Sequence, residues 1–420
     1  MDRVHLLPMQ LPPASSINGH KSNNGYGNGK GKVSFVRRLA LGFMILAGLG
    51  LLYVPAYHSA QGQFSGLGET PSPQGSVGGT RHLVSSIVQL RGWSYNTTRD
   101  VSTYIRPENN TTAILNPSNI CGESAYLLIV VCSAVTNVNA RLTIRNTWGN
   151  QSNLDVLYDS SVKLVFLLGL SGNDTINDYV VDESHLYNDV IQEHFHDSYN
   201  NLTLKSLMML KWATTYCDKI TYLMKSDDDM FINVPALIKA LKARAKSTGT
   251  LIGSLICNAK PVTDIKNKWY TPKYMYSERT YPNYLSGTGY VMSLDVARRI
   301  YKAALAVPLL HLEDVYITGI CAKKIGLRPA NQHGFSYIPR KLETCALREV
   351  ITAHKINAST MNTIWSKLSA AEDAETNGTS VCTASKAVDK KRATITAKVG
   401  MKRVGYFLMK SGRTFNNRCV

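Results

Sequence analysis

The chain has 420 residues, is 44% hydrophobic and 18% charged, and carries a formal net charge of +18. That apolar content is enough to bury a core and excludes a chain disordered throughout. The basic excess would suit a polyanion, but residues 386–418 alone hold ten Lys or Arg against one acid, Asp389, so the middle is only mildly basic; with no recognisable reading module, nucleic acid is set aside as a partner.

Residues 1–38 are rich in Asn, Gly and Lys without apolar periodicity and read as a flexible cytosolic tail. Residues 39–57 follow as an uncharged apolar run near the length that spans a bilayer. Lys30, Lys32, Arg37 and Arg38 lie just before it, and no charge follows until Glu69, so the positive-inside bias leaves the bulk of the chain lumenal. A cleaved leader is the rival, disfavoured by the long charged segment ahead of the run and by His58 at the minus-three position of a cut after Ala60. Residues 58–120 read as a lumenal stem dominated by Gly, Ser, Thr and Pro. Eight glycosylation triplets begin at Asn96, Asn109, Asn110, Asn150, Asn173, Asn201, Asn357 and Asn377, all on the lumenal side. Eight cysteines without CxxC spacing point to disulfides or buried thiols rather than zinc.

A folded domain is expected over 121–370. Short bounded apolar runs at 126–131, 163–168 and 220–224 predict strands. Helical patterns alternate with them at 140–148, 184–194 and 202–216, and continue at 235–245, 294–304 and 314–324. The alternation predicts an α/β fold, a Rossmann-like sheet flanked by helices, with ligands at the strands' carboxyl ends. Residues 371–420 read as a basic C-terminal extension.

The strand at 220–224 runs into Lys225, Ser226, Asp227, Asp228 and Asp229 and then apolar Met230. Three carboxylates at a buried strand's end need a cation or donors to offset them. Alternation turns Asp227 and Asp229 to one side and Asp228 to the other. A hard divalent ion bridging to a diphosphate fits that set; an acidic surface turn is the bland alternative, and an EF-hand lacks its Gly and twelfth-position Glu. Glu313 and Asp314 open a helical pattern, where acids commonly just meet the helix dipole. Arg141 and Arg145, four apart, share one helical face that meets phosphate or water.

RLTIRNTWG (141–149), VFLLG (165–169), DSYNNLTLKS (197–206), YLMKSDDDMFINV (222–234), YPNYLSGTGYVMS (281–293) and LEDVYITGICAKKIG (312–326) stand in order along the chain. In sequence and spacing these blocks resemble the eukaryotic beta-1,3-galactosyltransferase and beta-1,3-N-acetylglucosaminyltransferase family. The resemblance implies a glycosyltransferase-A fold and an inverting transfer from UDP-galactose, or alternatively UDP-GlcNAc, to a glycan acceptor on glycoprotein or glycolipid. It implies Asp314 as general base, Asp229 and His354 as metal ligands, and Asp227 at the ribose and nucleotide, with Asp228 counted among the nucleotide-site residues. Arg141, Arg145 and Lys205 are implied diphosphate or uridine contacts, and Gly287, Thr288, Gly289 and Tyr290 line the donor-sugar and acceptor cleft. A His ligand favours Mn²⁺ over Mg²⁺. The implied setting is a type II Golgi membrane protein, with a homodimer left open. An inactive lumenal glycan-binding protein of the same fold is the remoter reading, and the retained acids speak against it.

One departure stands out: Leu285, which follows Tyr284, occupies the place where many galactosyl-transferring relatives have Cys before SGTGY, so a bridge from Cys217 to that position cannot form. Against the family pattern the expected pairings are Cys121 with Cys217 and Cys321 with Cys345, leaving Cys382 and Cys419 for each other or for another subunit.

Overall fold

The computed structural model describes residues 89–105, 112–122, 125–376 and 382. The expected tail, the membrane anchor at 39–57 and the basic end of the chain lie outside the described residues, and within those described no helix is long and apolar enough to cross a membrane.

Ten strands form: β1 (Ala113–Leu115), β2 (Leu127–Cys132), β3 (Val162–Leu170), β4 (Val190–His196), β5 (Tyr222–Asp227), β6 (Met230–Ile232), β7 (Leu251–Ile256), β8 (Tyr284–Ser293), β9 (Ala330–Asn331) and β10 (Thr352–His354). Eight make one sheet in the order β1-β4-β3-β2-β5-β8-β7-β9, and β10 and β6 make a separate ribbon. The run β4-β3-β2-β5 is parallel, whereas β8 is antiparallel to both β5 and β7. The chain winds outward from β2 through β3 to β4 and then returns to β5 on the other side of β2. This reversal opens a crevice beyond the carboxyl ends of β2 and β5.

All six residues of β2 are buried, as a strand covered on both faces requires. Alternation sends Leu128, Val130 and Cys132 into one core with Leu207, Met208 and Leu210 of the helix Leu202–Tyr216 and Val296 and Ile300 of the helix Leu294–Ala304. Leu127, Ile129 and Val131 enter the opposite core with Ile144, Leu154, Leu237 and Ile364. The result is a three-layer α/β/α sandwich.

Two elements differ from the sequence reading. The helix expected at 184–194 occupies Asp174–Tyr187 and ends at Asn188, whose φ of 48° and ψ of 38° are left-handed and whose N–H closes on the Ser184 carbonyl. Residues 190–194 instead join β4, where Val190 and Ile191 are wholly buried beside β3. The pattern at 314–324 forms a π-helix, Val315–Cys321, before a short α-helical turn. Such turns are rare and recur at functional sites.

The expected stem also ends earlier than 120. Trp93, Val101 and Ile105 are buried in the core, and the Trp93 indole N–H donates to the Asn200 carbonyl at 2.9 Å and to Asn201 Oδ1 at 3.1 Å. The Asn201 amide also donates to the His196 carbonyl, so this triplet's side chain is built into the fold. Cys121–Cys217 is bridged as expected, whereas Cys345 pairs with Cys382 rather than with Cys321. Cys321 is a buried free thiol, pushed up to about 12 by burial. Its place inside the π-helix, packed in the core, removes it from any partner's reach.

Candidate active site

β5 delivers the acidic run to the crevice, and each carboxylate meets a different partner. Asp228 accepts from Ser133 Oγ at 2.6 Å and from Asn137 Nδ2 at 2.9 Å, which ties it to the segment following β2. Asp227 pairs with Lys225, whose ammonium also donates to the Gly287 carbonyl and lies 3.9 Å from Glu313. Asp229 faces His354, with Oδ2 and Nε2 3.4 Å apart. Asp227 closes β5 and Asp228 and Asp229 lie in the turn that follows, so the turn rather than strand alternation directs them to different partners.

The Asp229–His354 pair comes from the small ribbon. β10 runs antiparallel to β6 with His354 opposite Met230, the residue after Asp229, and the Ile356 N–H closes on the Asp229 carbonyl at 2.9 Å. His354 Nδ1 lies 3.0 Å from the Tyr337 carbonyl, which places a proton on Nδ1 and turns Nε2 toward Asp229. Burial opposes charging of this imidazole, but the hydrogen bond and charge of Asp229 outweigh it and raise its pKa. A carboxylate beside an imidazole fixed through its other nitrogen is a donor set suited to a divalent transition ion. Among the described residues no group of three or more His, Cys, Asp or Glu gathers around one point, so further ligands to such an ion would have to come from outside this pair.

Asp314 stands at the mouth of the π-helix. Its Oδ1 accepts from the Val315 N–H at 2.9 Å and its Oδ2 from the Gly287 N–H at 3.2 Å. Burial raises its pKa, and these two donors only partly counter that. Gly287 is required for the approach, because a Cβ there would sit 3.1 Å from Glu313 Oε2 and 3.2 Å from Asp314 Cβ. Through Gly287, β8 therefore touches Asp314 with its N–H and Lys225 with its carbonyl. Nearby, Ser286 and Thr288 share a side-chain hydrogen bond of 3.2 Å, and Gly289 pairs with Ser226 across the ladder.

Two participants were named in the sequence reading without a role in the site. Lys225 is buried and stays charged: burial disfavours the ammonium, but Asp227 and Glu313 raise its pKa beyond the usual range. Glu313 lies beneath it with its carboxyl pushed up to about 7 by burial, Lys225 opposing, and accepts from the Tyr290 hydroxyl at 2.5 Å. A lysine two residues before an aspartate on the same strand was the available signal, since both side chains then share a face.

The match to the family described as Galactosyltransferase covers residues 139–333. Human beta-1,3-galactosyltransferase 1 is 39% identical over 258 residues, spanning 61% of this chain and 78% of that protein. The chain belongs to the galactosyltransferase family. Human beta-1,3-galactosyltransferase 2 is 37% identical over 263 residues, 61% of each chain. A solved glycosyltransferase involved in capsid glycosylation has a TM-score of 0.32 at 8% identity, covering 58% of this chain and 99% of that one, too weak a likeness to carry an argument. The family establishes a glycosyltransferase with a nucleotide-sugar donor, carried on the mixed sheet flanked by helices described above.

Within this family fold the implied phosphate contacts are placed differently from the expectation. Arg141 is wholly buried and spends its guanidinium on Glu183 at 2.6 and 2.8 Å and on the carbonyls of Ala134 and Val135. Arg145 pairs with Glu183 and Asp189, stacked on the ring of Tyr187. Lys205 is 2% exposed and bonds Asp197 and the Ser133 carbonyl. The four-residue spacing correctly set the two arginines on one helical face, but that face turns inward to Glu183. Arg141 and Lys205 act at one remove, holding Ser133, which holds Asp228. Arg141→Met leaves Glu183 with Arg145 as its one cation and leaves the Ala134 and Val135 carbonyls without their donor, so the domain is expected to lose about 1–3 kcal/mol of unfolding free energy. The shift of the urea midpoint measures this, and a loss below about 1 kcal/mol would show the ion pair to be expendable.

Proposed function

We propose that the chain transfers galactose from UDP-galactose to a glycan hydroxyl in beta-1,3 linkage by a single inverting displacement. The observation that carries this reading is the linked placement of Asp229–His354 and Asp314, with Gly287 contacting both the Lys225–Asp227 pair and the base. Asp314 takes the proton of the acceptor hydroxyl, whose oxygen attacks the anomeric carbon from the face opposite UDP. The bond to UDP breaks, its electron pair leaves on the diphosphate, and the alpha-linked donor becomes a beta-linked product. A carboxyl whose pKa is raised by burial is a stronger base than a solvated aspartate. Its fixed orientation on two backbone N–H groups prepays the ordering of the encounter. Asp229 and His354 would hold a divalent ion, Mn²⁺ in preference to Mg²⁺, that neutralises charge on the departing diphosphate.

Asp229→Ala tests the metal assignment: calorimetry should show UDP affinity in Mn²⁺ weakened by at least about tenfold and the metal dependence largely gone. Unchanged Mn²⁺-dependent binding would remove Asp229 from the ligand set. A donor panel with linkage analysis of the product tests the reaction, and turnover of UDP-GlcNAc ahead of UDP-galactose would reassign the donor.

For the setting, the apolar run 39–57 behind Lys30, Lys32, Arg37 and Arg38 supports a type II anchor in the Golgi membrane. The bridges Cys121–Cys217 and Cys345–Cys382 support an oxidising lumen for the domain.

A further inference from the structure

β8 begins at Tyr284, and its start is fastened to the π-helix that carries the base. Thr318 Oγ1 accepts from the Leu285 N–H at 2.8 Å and donates to the Asp314 carbonyl at 2.6 Å. Gly319 lets Tyr284 lie close, since a Cβ there would meet Tyr284 Cβ at 3.1 Å and Pro282 Cγ at 3.3 Å. Tyr284 packs edge-on against Tyr281, with ring centroids 6.4 Å apart, and Tyr281 is anchored to Thr271 through its hydroxyl at 2.8 Å. The Tyr284 hydroxyl itself takes no hydrogen bond among the described residues, although the ring is half-buried.

A second aromatic group is open to solvent. Tyr199 and Trp269 are 43% and 38% exposed. Lys268 holds them in place, its ammonium 5.5 Å from the Tyr199 centroid and 4.8 Å from that of Trp269. Burial raises the phenols of Tyr199 and Tyr284, and the charge of Asp314 raises each further, so both rings lie within electrostatic reach of the base.

Such a set suits a sugar. Aromatic rings bury the apolar C–H face of a pyranose while a free phenol meets its hydroxyls, the mixed apolar and polar character of these side chains. The donor's ion and nucleotide belong at Asp227, Asp229 and His354, on the other side of Gly287 from Asp314. Resting on the proposed transferase reading, we infer that Tyr284, fastened to the π-helix beside Asp314, forms with Tyr199 and Trp269 the aromatic wall that seats the terminal neutral pyranose of the acceptor against Asp314. The wall sets acceptor choice: a ring with a continuous C–H face stacks there, whereas a flexible or acyclic alcohol gains nothing from it.

The full chain with UDP-galactose and a neutral disaccharide acceptor provides the test. Tyr284→Ala and Trp269→Ala are each expected to raise the acceptor KM about 3- to 10-fold. Their affinity for UDP in Mn²⁺ should match wild type, which also reports a folded domain. Tyr284→Phe keeps the stacking surface and should fall between wild type and Tyr284→Ala. If wild type transfers galactose and both alanine variants bind UDP yet keep its acceptor KM, the aromatic wall is wrong and the transferase reading stands. A wild-type chain that neither binds UDP nor transfers a sugar overturns the reading and the wall together.

Discussion

Asp314→Asn is expected to abolish galactosyl transfer while leaving UDP binding intact. The amide keeps the shape of the carboxyl, but its single oxygen can accept from only one of the Val315 and Gly287 N–H groups, so Asp314→Glu serves as the companion variant that keeps both acceptors. What the amide loses is the capacity to take a proton from the acceptor. Positioned proton transfer is worth about 10²–10⁴ in rate, and kcat should fall by that amount with UDP affinity unchanged within about twofold. The pH dependence follows from the direction of the shift. Burial raises the Asp314 pKa, so the acidic limb of kcat/KM in wild type should lie above the range of a free aspartate. Activity falls as pH drops through that raised value, because the protonated carboxyl is no longer a base. Retained transfer in a folded Asp314→Asn chain would exclude it from this role.

Much of the fold was readable because strands buried on both faces are short, bounded and almost wholly apolar. The run at 126–131 lies within a residue of β2, and the helix at 294–304 has the predicted ends, where Ala297, Ile300 and Ala304 set an amphipathic period. Failures came where local pattern competes with backbone geometry. At 184–194 the apolar spacing of Leu186, Val190 and Ile191 mimics a helix, but Asn188 enters the left-handed region and ends it. The stem reading failed for a different reason: Trp93 and Ile105 are isolated apolar residues in polar surroundings, and their burial depends on a surface supplied by the helix Leu202–Tyr216 and by Asn200, far away in the chain.

The active-site carboxylates were legible as an acidic cluster at a strand end, but their division of labour was not. Asp227, Asp228 and Asp229 differ by which distant partner each meets: Lys225 and Gly287, Ser133 and Asn137, or His354. His354 reaches Asp229 through a two-stranded ribbon joining segments more than a hundred residues apart, and no local pattern encodes that pairing. The basic residues Arg141, Arg145 and Lys205 show the converse. The family resemblance suggested diphosphate or uridine contacts, but burial beside Glu183, Asp189 and Asp197 commits them to intramolecular pairs.

Lys225→Met should be the most damaging change to the framework of the site. The ammonium is enclosed by Asp227, Glu313 and the Gly287 carbonyl, so its removal leaves the buried Glu313 carboxyl, the partly exposed Asp227 carboxyl and one carbonyl without their cation. Breaking a buried pair from one side costs about 3–5 kcal/mol. The cost has a definite pH dependence. Glu313 already has its carboxyl raised from 4.5 to about 7 in the folded protein, so its contribution favours the fold below the lower value and is lost as pH rises through the upper one. Without Lys225 the folded-state value climbs further, and the penalty is full only where Glu313 would be ionised. Urea unfolding at about pH 8 should therefore show the larger loss and at about pH 5.5 a smaller one. Lys225→Met combined with Glu313→Gln removes the stranded charge and should recover part of the loss at the higher pH. Equal losses at both pH values, with no recovery in the double variant, would mean that Lys225 acts through packing rather than charge.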